Sequence, residues 1–156
     1  LALEEPGEDL ALPGLHIAEV VAGQAARDHR QRVGVLGTSY LMAGPLYPRV
    51  FAAHGITAEL PAAGDRRVIN EIIFGELVNG VFTDSSRQEY ARIIERLAAQ
   101  GCDAVALVCT EIPLLVTPEV SPLPTLDSTR LLARAAFDVA VGAQPMPTWR
   151  GGPAKS

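Results

Sequence analysis

The sequence predicts an α/β domain in which a parallel sheet is covered by helices on both faces. Short apolar runs of strand length alternate along the chain with longer segments of helical periodicity. One run, residues 104–108, is entirely apolar, as expected of a central parallel strand that is buried on both sides. Strands and helices in strict alternation are typical of a parallel sheet packed between two helical layers.

Composition narrows the class of protein further. The 156 residues suffice for one domain of ordinary size, and 48% apolar with 20% charged residues is a globular mixture. No apolar run approaches the roughly 20 residues of a membrane span, and a net charge of −5 argues against nucleic acid as the main partner. The two cysteines have no histidine close to them in sequence, so we expect neither a metal site nor a disulfide framework, and a cytoplasmic location.

The first half of the chain contains two strand candidates. Residues 1–11 carry four carboxylates around Pro6 and Gly7, and we interpret them as a linker or the remnant of an N-terminal domain. The α/β domain is then expected over residues 12–143. It begins with a short apolar segment (12–17) and a helix (18–30). A strand (32–37), a loop with a helix (38–54) and a second strand (56–60) follow.

The second half is predicted to contain three further helices and the central strand. Apolar residues at helical spacing indicate a helix over residues 65–79, ended by Gly80. Two overlapping capping boxes, Ser85 with Gln88 and Ser86 with Glu89, predict the start of the next helix. After the strand at 104–108, Asp127 or Ser128 caps a helix to about Val141, and residues 144–156 are expected to form a disordered tail. The total is four or five strands.

Polar residues follow two of the predicted strands directly. They are Thr38 and Ser39 after Gly37, and Cys109, Thr110 and Glu111 after Val108. Ligand sites of open parallel sheets form beyond the carboxyl ends of the strands. Backbone N–H groups at a strand-to-helix turn favour an anion, so we expect a small carboxylate rather than a cation here.

The two cysteines differ in their predicted surroundings. Cys102 precedes the central strand and is expected to be a buried structural thiol. Cys109 follows that strand, beside a helix N-terminus that would lower its pKa and make it a nucleophile or a base. A buried, inert thiol remains open for Cys109, and Thr110 and Glu111 could equally be capping residues.

Other candidates have simpler interpretations. Gly34 and Gly37 do not complete a dinucleotide fingerprint and are expected only to permit a tight turn. His16 is expected to bond a backbone group, and Asp127 to cap a helix.

Several segments resemble the aspartate/glutamate racemase family. Val-Ala-Leu-Val-Cys-Thr-Glu-Ile-Pro-Leu-Leu at 105–115 is similar to the family's second cysteine motif. Four further segments match in the same order as in the family. They are its histidine segment (15–18), its strand and Gly-Thr turn (32–38), its central helix (72–80) and its final Asp-Ser-Thr cap (126–129). The resemblance extends over residues 12–142.

The resemblance implies an amino-acid racemase that needs no cofactor. Two cysteines on two similar domains face each other across a cleft, where one thiolate removes the α-proton and the opposite thiol returns one. Cys109 would be one of these acid/base groups. Thr38, Ser39 and Thr110 would bind the substrate carboxylate, and Glu111 would orient the site. A homodimer is compatible with this family.

Three departures limit what the resemblance implies. Leu41 stands where many members have a second threonine, and Asn79 stands where some have a lysine, so the amino-acid substrate is open. The family's first cysteine, followed by Asn-Thr, is absent from the sequence. We therefore expect this chain to be the C-terminal portion of a racemase, and inactive by itself. The alternatives are a single-cysteine enzyme resembling arylmalonate decarboxylase and an inactive carboxylate-binding domain.

Overall fold

The computed structural model describes residues 14–145, and within them four parallel strands form one sheet. Their spatial order is β2-β1-β3-β4, and the bounds are β1 Arg32–Leu36, β2 Thr57–Glu59, β3 Ala104–Leu107 and β4 Thr125–Asp127. The predicted fold class is confirmed. The predicted linker at 1–11 and the part of the predicted tail beyond Pro145 lie outside the described residues.

Seven α-helices occupy the same described region. They are α1 Ile17–Arg27, α2 Ser39–Ala43, α3 Leu46–Ala53, α4 Ala63–Gly75, α5 Asp84–Ala99, α6 Ile112–Leu115 and α7 Ser128–Ala140. A short 3₁₀ helix, Leu77–Asn79, follows α4 and ends at Gly80, which has a φ of 73°. Between residues 14 and 145, no helix is both long and apolar enough to cross a membrane.

Three predicted helices differ from the observed ones at their ends. α1 stops at Arg27, three residues before the expected end, because the chain turns at Asp28 and His29, which has a left-handed φ of 56°. The helix expected within 38–54 is divided into α2 and α3 by Gly44 and Pro45. The helix expected over 65–79 leaves the α conformation at Glu76.

Two apolar cores lie on opposite faces of the sheet. Successive side chains of a strand point to opposite faces, so Val33 and Val35 of β1 enter one core and Leu36 enters the other. The first core contains residues of α1 and α3, and the second contains residues of α4, α5 and α6. Helices therefore cover both faces, as the sequence predicts.

Gly34 lies in the middle of β1 and not at a turn. A Cβ at this position would stand 2.8 Å from Cδ1 of Leu97 and 3.2 Å from Cγ1 of Val105. Leu97 belongs to α5, so the glycine lets that helix pack directly on the sheet. The expectation that Gly34 serves a tight turn is wrong.

The N-cap of α5 is Thr83, and not Ser85 or Ser86 as the two capping boxes predict. Thr83 Oγ1 accepts a hydrogen bond from the Ser86 backbone N–H at 3.1 Å. Ser86 is buried inside the first turn and donates its hydroxyl to Oε2 of Glu76 at 2.6 Å. The Ser86 hydroxyl is bonded to a residue before the helix and does not cap it, so the helix begins two or three residues earlier than the capping boxes predict.

The strand order reverses direction between β1 and β3. From β1 the chain moves to one side of the sheet to form β2, then crosses to the other side to form β3 and β4. In open α/β sheets the crevice at the carboxyl ends of such a pair is the usual ligand site. The residues that follow Leu36 and Leu107 therefore form the candidate site.

Candidate functional site

The two predicted site turns lie side by side at the point where the strand order reverses. Leu36 and Leu107 are paired across β1 and β3, and the Val108 N–H donates to the carbonyl of Leu36 at 2.8 Å. A Cβ on Gly37 would stand 2.7 Å from Cγ2 of Val108. The absence of a side chain at Gly37 therefore allows the Thr38 turn and the Cys109 turn to touch.

Two side-chain oxygens accept hydrogen bonds from backbone N–H groups of the Gly-Thr turn and hold it in place. Thr38 is the N-cap of α2, and its Oγ1 accepts from the Leu41 N–H at 3.4 Å. The N–H of the exposed Ser39 donates to Oδ1 of Asn70 on α4 at 2.9 Å. Two of the N–H groups that were expected to meet an anion are thus already bonded by side chains of this chain.

Asn70 is a site residue that the sequence analysis missed. It lies on α4, 31 positions from Ser39 in sequence, and is partly buried. The periodicity of α4 identifies its apolar positions only, and nothing in the sequence connects a polar residue on this helix with the Gly-Thr turn. The contact becomes visible only when α2 and α4 pack together.

Cys109 is a partly buried thiol with a carboxylate beside it. Its Sγ donates to Oε2 of Glu111 at 3.0 Å. Burial, and then this hydrogen bond, raise the pKa of Cys109 from its ordinary value of 9.0 to about 11. The expected lowering of the pKa by a helix N-terminus is therefore wrong, because α6 has only four residues while burial and Glu111 both favour the neutral thiol.

Glu111 is the charged member of the site. Hydrogen bonds from the side chains of Cys109 and Thr110 lower the pKa of the Glu111 carboxyl, so it is ionised at neutral pH. Glu111 is the N-cap residue of α6 but makes no side-chain capping bond there. Its carboxylate faces the thiol instead, so the alternative of a plain capping role is not what the geometry shows.

The remaining sequence candidates have structural roles. His16 is the buried N-cap of α1, and its Nδ1 accepts from the Glu19 N–H at 3.4 Å, as expected. Asp127 caps α7 by accepting from the N–H groups of Thr129 and Arg130, also as expected. Cys102 is buried at the start of β3, at the edge opposite to Cys109, and its pKa is raised to about 11 chiefly by burial.

The departures from the family at Leu41 and Asn79 also have structural explanations. Leu41 is partly buried and packs against the core on the α1 and α3 side of the sheet. The Asn79 side chain turns back and donates to the carbonyls of Phe74 and Gly75 at the end of α4. Neither side chain provides a charged group for a ligand.

The described chain is thus an α/β domain with a protonated thiol, an ionised carboxylate and hydroxyl groups where its strand order reverses. The model of the Asp/Glu/hydantoin racemase family matches residues 2–136. The chain belongs to this family, and the resemblance found in its motifs is confirmed.

Solved structures with the same fold support the assignment. A protein from Yersinia pestis assigned to the Asp/Glu racemases is 39% identical, with a TM-score of 0.76 over 81% of this chain. An aspartate racemase homologue from Pyrococcus horikoshii is 25% identical, with a TM-score of 0.75 over 81% of the chain. The aspartate racemase of Picrophilus torridus, at 20% identity, a TM-score of 0.67 and 87% of the chain, shows a likeness of fold.

The match covers only part of each of these structures. This chain spans 56% of the Yersinia chain, 56% of the Pyrococcus chain and 55% of the Picrophilus chain.

Proposed function

We propose that this chain provides one half of the active site of a cofactor-independent amino-acid racemase of the aspartate/glutamate type. The observation that carries the proposal is the position of Cys109, at the reversal of strand order, with its thiol bonded to the ionised Glu111. Membership of the racemase family and the similar solved structures support the same reaction class.

Inversion at an α-carbon requires a base on one face and an acid on the other. When the base breaks the α-C–H bond, the electron pair spreads into the substrate carboxylate. Cys109, protonated at rest, then gives its proton to the opposite face of the same carbon and becomes a thiolate. In the reverse direction the Cys109 thiolate removes the proton. Each group is regenerated by the opposite half-reaction.

Glu111 is proposed to orient the thiol and to keep it protonated between turnovers. Its negative charge lies 3.0 Å from Sγ, which opposes loss of the proton in the absence of substrate. In this role Glu111 acts on Cys109 and does not contact the reacting carbon.

Thr38, Ser39 and Thr110 are proposed to bind the substrate carboxylate. The Thr38 hydroxyl accepts from Leu41 N–H, and a hydroxyl that accepts one bond still has its own proton to donate. Ser39 and Thr110 are both exposed at the same edge of the sheet, and Thr110 would redirect its hydroxyl proton from Glu111 to the substrate carboxylate when substrate binds. Donors placed here would stabilise the negative charge that develops on the carboxylate oxygens during the reaction.

The opposing thiol is proposed to come from outside this chain. The chain contains two cysteines, and Cys102 lies at the other end of β3. Seven residue steps along the strand separate the two by roughly 20 Å, at about 3.3 Å per step. Cys102 therefore does not face Cys109 across one carbon atom, and the part of the relatives that this chain does not span is the proposed source.

Because of Leu41 and Asn79, the substrate is proposed to be a small amino acid, without a choice of its side chain. A threonine and a lysine at these positions would be polar partners for a second carboxylate. Here the first packs into the core and the second caps α4. Aspartate, glutamate and less acidic amino acids are all candidates.

Deuterium exchange separates removal of the proton from inversion. We expect this chain in D₂O near pH 11, where the Cys109 thiolate forms, to exchange the α-proton of one enantiomer of its substrate with little racemisation. Both enantiomers of aspartate, glutamate and neutral amino acids are tested. Cys109→Ser should abolish exchange, whereas Cys102→Ser should retain it. Robust racemisation by the chain alone would refute an external second thiol, and exchange that survives in Cys109→Ser would refute the role of Cys109.

A single-cysteine decarboxylase is the second candidate, favoured by the one protonated thiol at this edge. Such an enzyme would release CO₂ from an arylmalonate and use Cys109 to protonate the resulting enolate. Release of CO₂ without exchange of any amino-acid α-proton would select it. Binding of a carboxylate with unchanged affinity in Cys109→Ser, and no turnover of either kind, would instead select the inactive binding domain.

A further inference from the structure

Tyr90 is a buried tyrosine whose hydroxyl has no partner. Its side chain is 0% exposed, and its Oη makes no hydrogen bond within residues 14–145. Buried polar groups in native proteins nearly always have a partner, because an unpaired one loses its bonds to water without replacement. An isolated donor in this position calls for a physical explanation.

Tyr90 belongs to the core cluster against which the Cys109 side chain packs. Arg87, one helical turn earlier on α5, donates from Nε to the carbonyl of Leu115 on α6 at 3.3 Å. Residues three apart lie on the same face of a helix, so Tyr90 faces the same region. Cys109 itself packs against the core cluster that contains Tyr90.

The phenol and the thiol also interact electrostatically. Burial and, second, the charge of Cys109 raise the pKa of Tyr90 above its ordinary range. Tyr90 therefore keeps its proton throughout the pH range in which Cys109 ionises. It is a permanent donor in the core cluster against which Cys109 packs.

We propose that Tyr90 is a positioning residue whose hydroxyl donates a hydrogen bond to Sγ of Cys109 when Cys109 is a thiolate. In the resting state the Cys109 proton is directed to Glu111, and Tyr90 has no acceptor. Once that proton has left, Sγ becomes a strong acceptor and the buried hydroxyl acquires its missing partner. The use of this bond in catalysis rests on the proposed racemase function, whereas the bond itself does not.

Tyr90 and Glu111 then act in opposite directions on the same thiol. The Glu111 carboxylate favours the protonated form, while a hydrogen bond donated by Tyr90 favours the thiolate. An acid/base group that works in both directions needs both forms within reach, and two opposed neighbours supply this better than either one alone.

Alkylation of Cys109 in a Cys102→Ser background tests the bond without any need for turnover. Tyr90→Phe keeps the ring and removes only the hydroxyl. We expect the apparent pKa of Cys109 to rise by about one unit, so that iodoacetamide reacts roughly tenfold more slowly at pH 8.5. Tyr47→Phe is the matched control, since Tyr47 is 2% exposed in the core on the other sheet face, and it should alkylate like the parent.

An unchanged alkylation rate in a folded Tyr90→Phe protein would overturn the proposal. Should that variant not fold, 3-fluorotyrosine in the parent protein gives a second measurement. The ¹⁹F resonance of residue 90 is expected to shift as Cys109 ionises and to remain fixed in Cys109→Ser. A resonance that does not respond to Cys109 overturns the proposal equally, whether or not the chain racemises any amino acid.

Discussion

Replacing Gly37 with alanine separates the two turns of the candidate site. The new Cβ would stand 2.7 Å from Cγ2 of Val108 and 3.5 Å from its carbonyl oxygen. Carbon atoms in contact prefer about 3.5–4.0 Å, so Cγ2 must retreat by roughly 1 Å. Val108 is buried, and β-branched side chains rotate little about χ1, so the backbone next to Cys109 has to move.

The expected cost follows from this displacement. Overpacking of this kind costs about 1–3 kcal/mol. Gly37 does not have a positive φ, so alanine adds no backbone strain, and the loss of unfolded-state freedom returns about 0.4–1 kcal/mol. We expect Gly37→Ala to lower the free energy of unfolding by about 1–2 kcal/mol, as the difference of these two terms.

Urea unfolding of four variants measures the effect. In a double-mutant cycle with Val108→Ala, which removes the opposing methyl groups, the penalty at position 37 should largely disappear. Gly23→Ala is the control, because its Cβ would meet only Nη1 of Arg27 at 3.6 Å and helix α1 should gain about 0.5–1 kcal/mol. If Gly37→Ala stabilises the protein as Gly23→Ala does, or if the cycle shows no coupling, the contact does not require glycine.

Three further outcomes are expected. Glu111→Gln removes a negative charge that raises the pKa of Cys109. Iodoacetamide should therefore alkylate Cys109 several-fold faster at pH 8. An unchanged rate would contradict the role of Glu111. Thr83→Ala removes the N-cap of α5 and should lower the free energy of unfolding, measured with urea, by about 1 kcal/mol. Ser85→Ala should change it by no more than about 0.5 kcal/mol. A larger loss for Ser85→Ala than for Thr83→Ala would identify Ser85 as the cap. Folding raises the pKa of both Cys102 and Cys109 from 9.0 to about 11, so the stability they add is complete below pH 9 and is lost as the pH rises to about 11. Replacing both by serine should flatten the free energy of unfolding in that window, and an equal slope in both proteins would show that the thiols are not its cause.

The architecture could be predicted from the sequence because its main signals are local. The apolar run at 104–108 and the glycine-bounded run at 32–37 both form central strands, and the periodic segment after Asp84 forms α5 with Tyr90, Ile93 and Leu97 buried. Helix starts were less predictable where several hydroxyls compete. Thr83, Ser85 and Ser86 all fit a cap, and only the distant Glu76 decides that Ser86 is occupied.

The turns of the candidate site could be predicted from sequence to lie side by side, but their electrostatics could not. Polar residues after two strands predict that the two turns meet at one edge of the sheet, since the carboxyl ends of parallel strands lie together there, and the pairing of β1 with β3 brings them together. The state of Cys109 depends on how deeply it is buried and on the rotamer of Glu111, neither of which has a sequence signature. Asn70 and Tyr90 were missed for the same reason, because they reach the site only through helix packing.

The candidate site depends on the pairing of β1 with β3, the two neighbouring strands of the sheet that are farthest apart in sequence. Thr38 and Cys109 are far apart in the chain, and no segment that contains only one of them forms the site. Separating the two turns breaks the central ladder, so the free energy of such an opening approaches that of global unfolding. Contacts of this range also form slowly, so the site is assembled cooperatively with the fold. The Val108 amide is bonded to the Leu36 carbonyl across this pairing. Its hydrogen-exchange rate would therefore measure the free energy of the opening that separates the two turns.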